Sequence, residues 1–148
     1  MSITVPYETT LQVRDTCLCL HAQRAARALA RHFDEVLKPA GITNQQFSLL
    51  MALNRPDPPP MGPVAKLLAM DRTTLTAALK PLVRRALVRV EASPADSRIR
   101  LLALTKAGQE TLATAVLIWR DAHAAIEYKL EDVNPTALRA ALSTISNI

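Results

Sequence analysis

The spacing of apolar residues changes from a helical period to a strand period near residue 87, and this change limits the possible folds most. Leucines recur at intervals of three and four within residues 72–87, which predicts a helix. Residues 88–91 and 96–104 alternate instead, as the strands of a half-buried hairpin do. The inward stripe expected on the helix is Leu75, Leu79, Leu82 and Ala86.

A short helix is predicted immediately before this long one. Gly62 and Pro63 suit its N-cap and first helical position, and the helix is expected over residues 64–70. Asp71 then caps the long helix. Two helices joined by a tight turn and followed by a hairpin indicate a helix-turn-helix with a β wing. The predicted fold class is therefore mainly α, a winged helix-turn-helix with a two-stranded β wing.

The N-terminal flank is predicted to be helical. Apolar residues at intervals of three and four indicate one long helix over residues 10–37, ended by Pro39 and Gly41. Thr43 and Gln46 have the spacing of a capping box and predict the start of the next helix.

The C-terminal flank is also predicted to be helical. Thr105 is expected to cap a long helix that carries a heptad-like apolar seam from Leu112 to Leu130. Asn134 and the proline after it start a last helix. The side chains expected to point inward from that helix are Leu138, Leu142 and Ile145.

Positive charge is concentrated in one segment. Residues 61–105 contain eight basic and three acidic residues, which accounts for the whole net charge of +5. The segments on either side are nearly neutral. A neutral frame that carries one basic segment is the pattern expected of a polyanion-binding protein.

Several other classes are disfavoured by what the sequence lacks. Aromatic residues make up 3% of the chain, so base stacking is not its main binding device. There is no HExxH, GxSxG, glycine-rich phosphate loop or zinc pattern, and we expect no enzyme activity, no metal and no cofactor. The N-terminus does not resemble a secretory signal and no run reaches the roughly 18 apolar residues of a membrane helix, so the expected location is the cytoplasm.

Small and basic residues cluster where a winged helix-turn-helix meets DNA. Threonine and alanine allow close approach to base edges, and lysine and arginine meet phosphates. Asp96, predicted to share a strand face with Arg98 and Arg100, is expected to hold the Arg98 guanidinium extended toward a minor groove. The candidate DNA-binding residues are Lys66, Arg72, Thr73, Thr74, Thr76, Ala77, Lys80, Arg84, Arg98 and Arg100.

These segments resemble the MarR family of bacterial transcription regulators. The run LLAMDRTTLTAALKPLVRRALV followed by DSRIRLLALTKAG is similar to the family's recognition helix and wing. The wing signature is carried by Asp96, Arg98, Leu104, Thr105 and Gly108. The flanking helices also resemble the family, so the likeness spans essentially the whole chain. Alanines at positions 69 and 86 stand where the family often has glycine, and Lys106 replaces a common proline.

The resemblance implies a homodimer on a pseudo-palindromic operator. Residues 1–42 and 106–148 would form the helical dimerisation region and residues 43–105 the DNA-binding region. Family members often act as repressors that release DNA when a small molecule, often an aromatic acid or phenol, binds between the two regions. The polar candidates for an effector site are His21, Arg24, His32 and His123.

Two alternatives remain open from the sequence. The run LCLHAQRAAR resembles the first helix of the hydroperoxide-sensing branch of the family, with Cys19 at the reactive position and without that branch's tyrosine partners. Cys17 lies two residues away on the same predicted helix, a spacing that does not favour a disulfide with Cys19. The winged helix is alternatively a protein-interaction module, which the salt dependence of binding would distinguish from a DNA-binding one.

Overall fold

A computed structural model describes residues 3–148. The described residues form seven α-helices, one 3-10 turn and one antiparallel sheet, and they confirm the predicted fold class. In chain order the elements are α1 (Tyr7–Thr16), α2 (Leu18–Val36), the 3-10 turn (Lys38–Ala40), α3 (Asn44–Leu53), α4 (Met61–Leu67), α5 (Arg72–Arg84), β1 (Val88–Ala92), β2 (Arg100–Leu104), α6 (Lys106–Tyr128) and α7 (Pro135–Ser146).

The chain separates into two compact units. Residues up to His32 form the first, and Phe33–Ile148 form the second. The second contains a leucine-rich core drawn from α3, α4, α5, the sheet and the first half of α6. Among residues 3–148, no helix is both long enough and apolar enough to cross a bilayer.

The prediction of one continuous helix over residues 10–37 is wrong, because the chain forms two helices there. Cys17 separates them with an extended backbone (φ −69°, ψ 112°). Its sulfur lies 3.5 Å from the Leu20 amide nitrogen, the position from which an N-cap side chain accepts a hydrogen bond. The Thr16 hydroxyl bonds to the Gln12 carbonyl at 2.7 Å. Because the apolar periodicity continues across this break, the sequence pattern does not predict the break.

The start of α3 confirms the predicted capping box. The Thr43 hydroxyl accepts from the Gln46 amide, and the Gln46 side chain accepts from the Thr43 amide. Asn44 donates its backbone and side-chain N–H groups to Asp34 at 2.8 and 2.9 Å. These two hydrogen bonds from Asn44 lower the pKa of the Asp34 carboxyl.

Helix α4 begins at Met61, with Pro60 as its N-cap, so the prediction of Gly62 as N-cap is wrong by two residues. The proline-rich loop before the helix, residues 54–60, explains the difference. The Pro59 carbonyl accepts from the Leu102 amide at 2.8 Å, and Pro60 forms a β-bridge with Leu101. The loop is thus fixed along the outer edge of β2 up to the residue before the helix.

Helix α5 follows Asp71, which is its N-cap as predicted. It continues through Pro81 and buries the predicted leucines Leu75, Leu79 and Leu82. It ends at Arg84 rather than residue 87, and the inward position expected for Ala86 is wrong. Ala86 is exposed in the left-handed region (φ 55°), and Leu87 takes the core position.

The hairpin pairs β1 and β2 in antiparallel register, from Val88 with Leu104 to Ala92 with Arg100. The return strand is shorter than predicted. Residues 93–99 form the tip, where the Ser93 amide donates to the Ile99 carbonyl at 2.8 Å. Arg98 therefore lies in the turn and does not share a strand face with Arg100.

Helix α6 is attached closely to the end of α5. Thr105 is its N-cap as predicted, and the Thr105 hydroxyl also donates to the Ala86 carbonyl at 2.6 Å. A β-carbon on Gly108 would lie 2.1 Å from the Leu87 carbonyl oxygen. Only glycine allows this approach, which fixes the wing relative to α6.

Helix α7 has no buried residue within the chain. The three side chains expected to point inward from it, Leu138, Leu142 and Ile145, are 37–47% exposed. Helix α2 likewise has no buried residue, and Leu18 and Leu29 on its apolar stripe are exposed. Within residues 3–148 the apolar stripe of α7 is left largely uncovered, whereas Phe33 and Val36 at the end of α2 pack against the core.

Candidate nucleic-acid interface

The outer face of α5 is exposed to solvent. Its small and basic residues, Thr73, Thr76, Ala77, Lys80 and Arg84, are all exposed, opposite the buried leucines. The helix spans 13 residues, which is about 20 Å at 1.5 Å per residue. This is a suitable length for a helix inserted in a major groove.

The first turn of α5 is held by Asp71. Its carboxylate accepts from the Thr74 amide at 2.7 Å, and hydrogen bonds from Thr74 and Thr73 lower the pKa of Asp71. The cap remains charged at neutral pH and stabilises the helix end that would enter the groove.

The N-terminus of α3 lies beside this helix. A hollow of about 600 Å³ is lined by Thr43, Gln45 and Gln46 on one side and by Thr73, Thr74 and Ala77 on the other. The sequence identified Thr43 and Gln46 only as capping residues, and it gave no reason to select Gln45. Their place beside α5 follows from helix packing, which has no local sequence signal.

A groove separates α5 from the sheet. It has a volume of about 580 Å³ and an apolar floor, with four polar or charged residues along it. Two of its apolar residues, Val83 and Val90, are 41% and 46% exposed and were not predicted as site residues. The polar and charged residues of the groove are Thr76, Lys80, Arg84 and Arg100. The structure therefore brings Arg100 together with the basic side of α5.

The wing tip presents one guanidinium group. Asp96 accepts from Arg98 Nε at 3.1 Å and from Nη2 at 3.0 Å, while the Arg98 side chain is 89% exposed. The pairing lowers the pKa of Asp96 and raises that of Arg98. The predicted pairing of Asp96 with Arg98 is present, although the pair belongs to the turn and not to the strand, and the approach of Arg98 to a minor groove stays a prediction.

The remaining predicted cations surround α5. Lys66 is exposed on α4. Arg72 Nη2 lies 3.5 Å from the position that a β-carbon on Gly62 would occupy, so this side chain crosses the start of α4. Within residues 3–148, ion pairs involve none of the five cations Lys66, Arg72, Lys80, Arg84 and Arg100. Unpaired exposed cations are free to neutralise phosphates.

The effector candidates fall into separate groups. His21 and Arg24 line one hollow of about 540 Å³ on α2, together with Arg27 and Arg31. His32 is exposed on the same helix. His123 belongs to α6, where its ring stacks on Trp119 at 4.7 Å between ring centroids.

The two cysteines are free thiols with different surroundings. Cys17 is partly buried at the helix break, and Cys19 is exposed on α2. Gln23 Nε2 donates to Cys19 Sγ at 3.4 Å. Among the described residues, no group of three His, Cys, Asp or Glu side chains is arranged to hold a metal ion.

Comparison with known proteins finds a family profile and solved structures that are similar to this chain. A sequence profile of the MarR family matches residues 40–99. The regulator MosR from Mycobacterium tuberculosis, solved in complex with DNA, is 34% identical, with a TM-score of 0.79 over 89% of this chain and 95% of MosR. No curated protein sequence gave a significant match.

More distant structures share the fold. A mutant of MarR from Escherichia coli, complexed with operator DNA, is 23% identical, with a TM-score of 0.80 over 90% of this chain and 96% of that one. CouR from Rhodococcus jostii RHA1, bound to p-coumaroyl-CoA, is 20% identical, with a TM-score of 0.75 over 89% of this chain and 93% of CouR.

Proposed function

Because the chain belongs to the MarR family of transcription regulators, we propose that it represses transcription as a homodimer bound to a pseudo-palindromic operator, from which a small aromatic effector releases it. The observation that carries the DNA-binding part is the set of exposed, unpaired cations around α5 together with the extended Arg98 at the wing tip. Helix α5 would enter the major groove and Arg98 the adjacent minor groove.

The candidate residues would contact different parts of the DNA according to their chemistry. Thr73, Thr76 and Ala77 face base edges at close range. The cations Lys66, Arg72, Lys80, Arg84 and Arg100 fix the position of the protein on phosphates without reading sequence. The N-terminus of α3, through Thr43 and Gln45, adds polar groups beside α5.

The exposed apolar faces support a dimer. Leu138, Leu142 and Ile145 form a stripe on α7, and an exposed stripe of this kind usually marks an interaction surface. We assign residues 1–42 and 106–148 to dimerisation and residues 43–105 to DNA binding. A two-fold dimer gives each half-site one α5 helix, which suits a pseudo-palindromic site.

The effector would act by binding one geometry of the dimer better than the other. The polar candidates remain His21, Arg24, His32 and His123. The solved complex of CouR with p-coumaroyl-CoA supports an aromatic ligand, because it shows this fold holding one.

The test starts by selecting bound fragments from genomic DNA. Recovery of fragments that share an inverted repeat, bound with affinity that falls steeply as salt rises, supports the proposal. If DNA binding depends neither on salt nor on DNA sequence, the result instead supports the alternative that the winged helix is a protein-interaction module. Aromatic acids, phenols and their thioesters are then screened for release of the recovered site.

A redox input through Cys19 is the second candidate. The thiol is exposed to an oxidant, and the side-chain amide of Gln23 donates to its sulfur at 3.4 Å. An organic hydroperoxide would oxidise it to the sulfenic acid and leave as the alcohol. Loss of operator binding after hydroperoxide treatment in the parent, but not in Cys19→Ser, would support this input. Equal responses of the two proteins would exclude it.

A further inference from the structure

The three threonines in the first turns of α5 use their hydroxyl groups differently. Thr74 bonds to the Asp71 cap through both its amide and its side chain. The Thr76 hydroxyl donates to the Arg72 carbonyl at 2.8 Å. The Thr73 side chain is exposed, and its hydroxyl has no hydrogen-bond partner among the described residues.

The bond to Arg72 decides what Thr76 offers to a ligand. A hydroxyl has one hydrogen, and at Thr76 that hydrogen is directed back to the helix. The methyl group is then the part that contacts a partner. Its surroundings agree, because Thr76 lines the groove whose floor includes Leu79, Val83 and Val90.

Thr73 lies on the same outer face, one turn earlier, at the edge that borders α3. It lines the hollow shared with the polar residues Thr43, Gln45 and Gln46 at the start of α3. Its hydroxyl retains a free hydrogen and two acceptor sites, and no residue of the chain competes for them in the described structure.

We infer that the two threonines read DNA with different groups: Thr73 donates a hydrogen bond from its hydroxyl, whereas Thr76 places its methyl against the methyl group of a thymine. Thr74 serves the helix cap and makes no contact that specifies sequence. The inference rests on the proposed operator binding. It assigns Thr76 as the residue that selects thymine at one position of each half-site.

Serine and valine variants at the two positions separate the groups. Serine keeps the hydroxyl and loses the methyl, and valine keeps the shape and loses the hydroxyl. At Thr76, we expect Thr76→Val to bind the selected operator like the parent and Thr76→Ser to lose about fourfold per half-site, which corresponds to about 0.8 kcal/mol for one buried methyl.

The opposite order is expected at Thr73. Thr73→Ser should retain operator affinity, and Thr73→Val should lose about tenfold per half-site because a DNA acceptor remains without a partner. Each position is the matched control for the other, since both are exposed threonines of one helix. Thermal melts of all four variants exclude a loss of folding.

The thymine contact is tested by replacing each operator thymine with deoxyuridine, which removes only the methyl group. At one thymine position of each half-site, the replacement should weaken binding of the parent about fourfold per half-site and leave binding of Thr76→Ser unchanged. If the serine and valine variants at either position rank in any other order of operator affinity, the assignment at that position is overturned. If the parent selects no operator, the proposed function itself fails, and this result appears before any variant is made.

Discussion

Two alanines adopt the left-handed backbone that usually requires glycine, and exchanging them for glycine should stabilise the protein. Ala86 has φ 55° and Ala69 has φ 52°. Ala86 follows α5, where the Leu87 amide bonds to the Leu82 carbonyl and the Ala86 amide to the Val83 carbonyl, each at 3.0 Å. These two bonds define a Schellman motif with alanine at the position usually occupied by glycine.

The same motif ends α4. The Met70 amide bonds to the Ala65 carbonyl at 2.9 Å and the Ala69 amide to the Lys66 carbonyl at 3.2 Å. An L-residue in this conformation costs about 1–2 kcal/mol, and glycine costs about 0.4–1 kcal/mol more unfolded-state entropy than alanine. The difference predicts a gain of about 0.5–1 kcal/mol for each exchange.

The assay is urea unfolding at one fixed protein concentration, because the proposed dimer would make apparent stability depend on concentration. Ala86→Gly and Ala69→Gly should each raise the free energy of unfolding, and together they should raise it by about 1–2 kcal/mol. Ala113→Gly, on the exposed face of α6, is the matched control and should lower it by about 1 kcal/mol. If Ala86→Gly lowers stability as much as this control does, the strain argument is refuted.

Four further outcomes follow from the same contacts. Gly108→Ala should lower the free energy of unfolding by about 3 kcal/mol or more, measured by urea unfolding, because its β-carbon would clash with the Leu87 carbonyl. Thr43→Ala should lower it by about 1 kcal/mol through loss of the capping box, and Thr43→Ser should not. The pKa of Asp34 is lowered in the folded state, so its contribution to stability is complete above the unfolded pKa of about 4 and disappears as pH falls through the folded value. Asp34→Asn should therefore flatten the fall in melting temperature below about pH 4, and an unchanged profile would contradict this. Arg98→Ala should weaken operator binding and reduce the salt slope by about one per half-site, without changing the melting temperature.

The periodic parts of the fold were predictable from the sequence. The leucines of α5 and the capping residues Thr43 and Asp71 carry local signals, and the structure has each in its expected role. Alternation and caps also predicted the wing and the terminal helices, and the resemblance to the MarR family added the expected homodimer on an operator. These signals are strong because hydrophobic period and cap chemistry act over a few residues.

The remaining features depend on contacts that are distant in the sequence. The start of α4 is set by hydrogen bonding of Pro59 to Leu102, more than forty residues away. The break at Cys17 interrupts an apolar stripe that continues through it, and the place of Gln45 beside α5 follows from packing. The Arg98 pair is a local contact, but the boundary of β2 decides that it lies in the turn.

The salt dependence of operator binding tests the central claim most directly. If the cations around α5 neutralise phosphates, the logarithm of the association constant should fall with the logarithm of salt concentration with a slope of about −5 or steeper for the proposed dimer. The triple variant Lys66→Gln, Lys80→Gln and Arg84→Gln should flatten that slope by several units while its melting temperature stays the same. An operator affinity that does not change with salt, or an equal slope in the parent and the triple variant, would contradict the account.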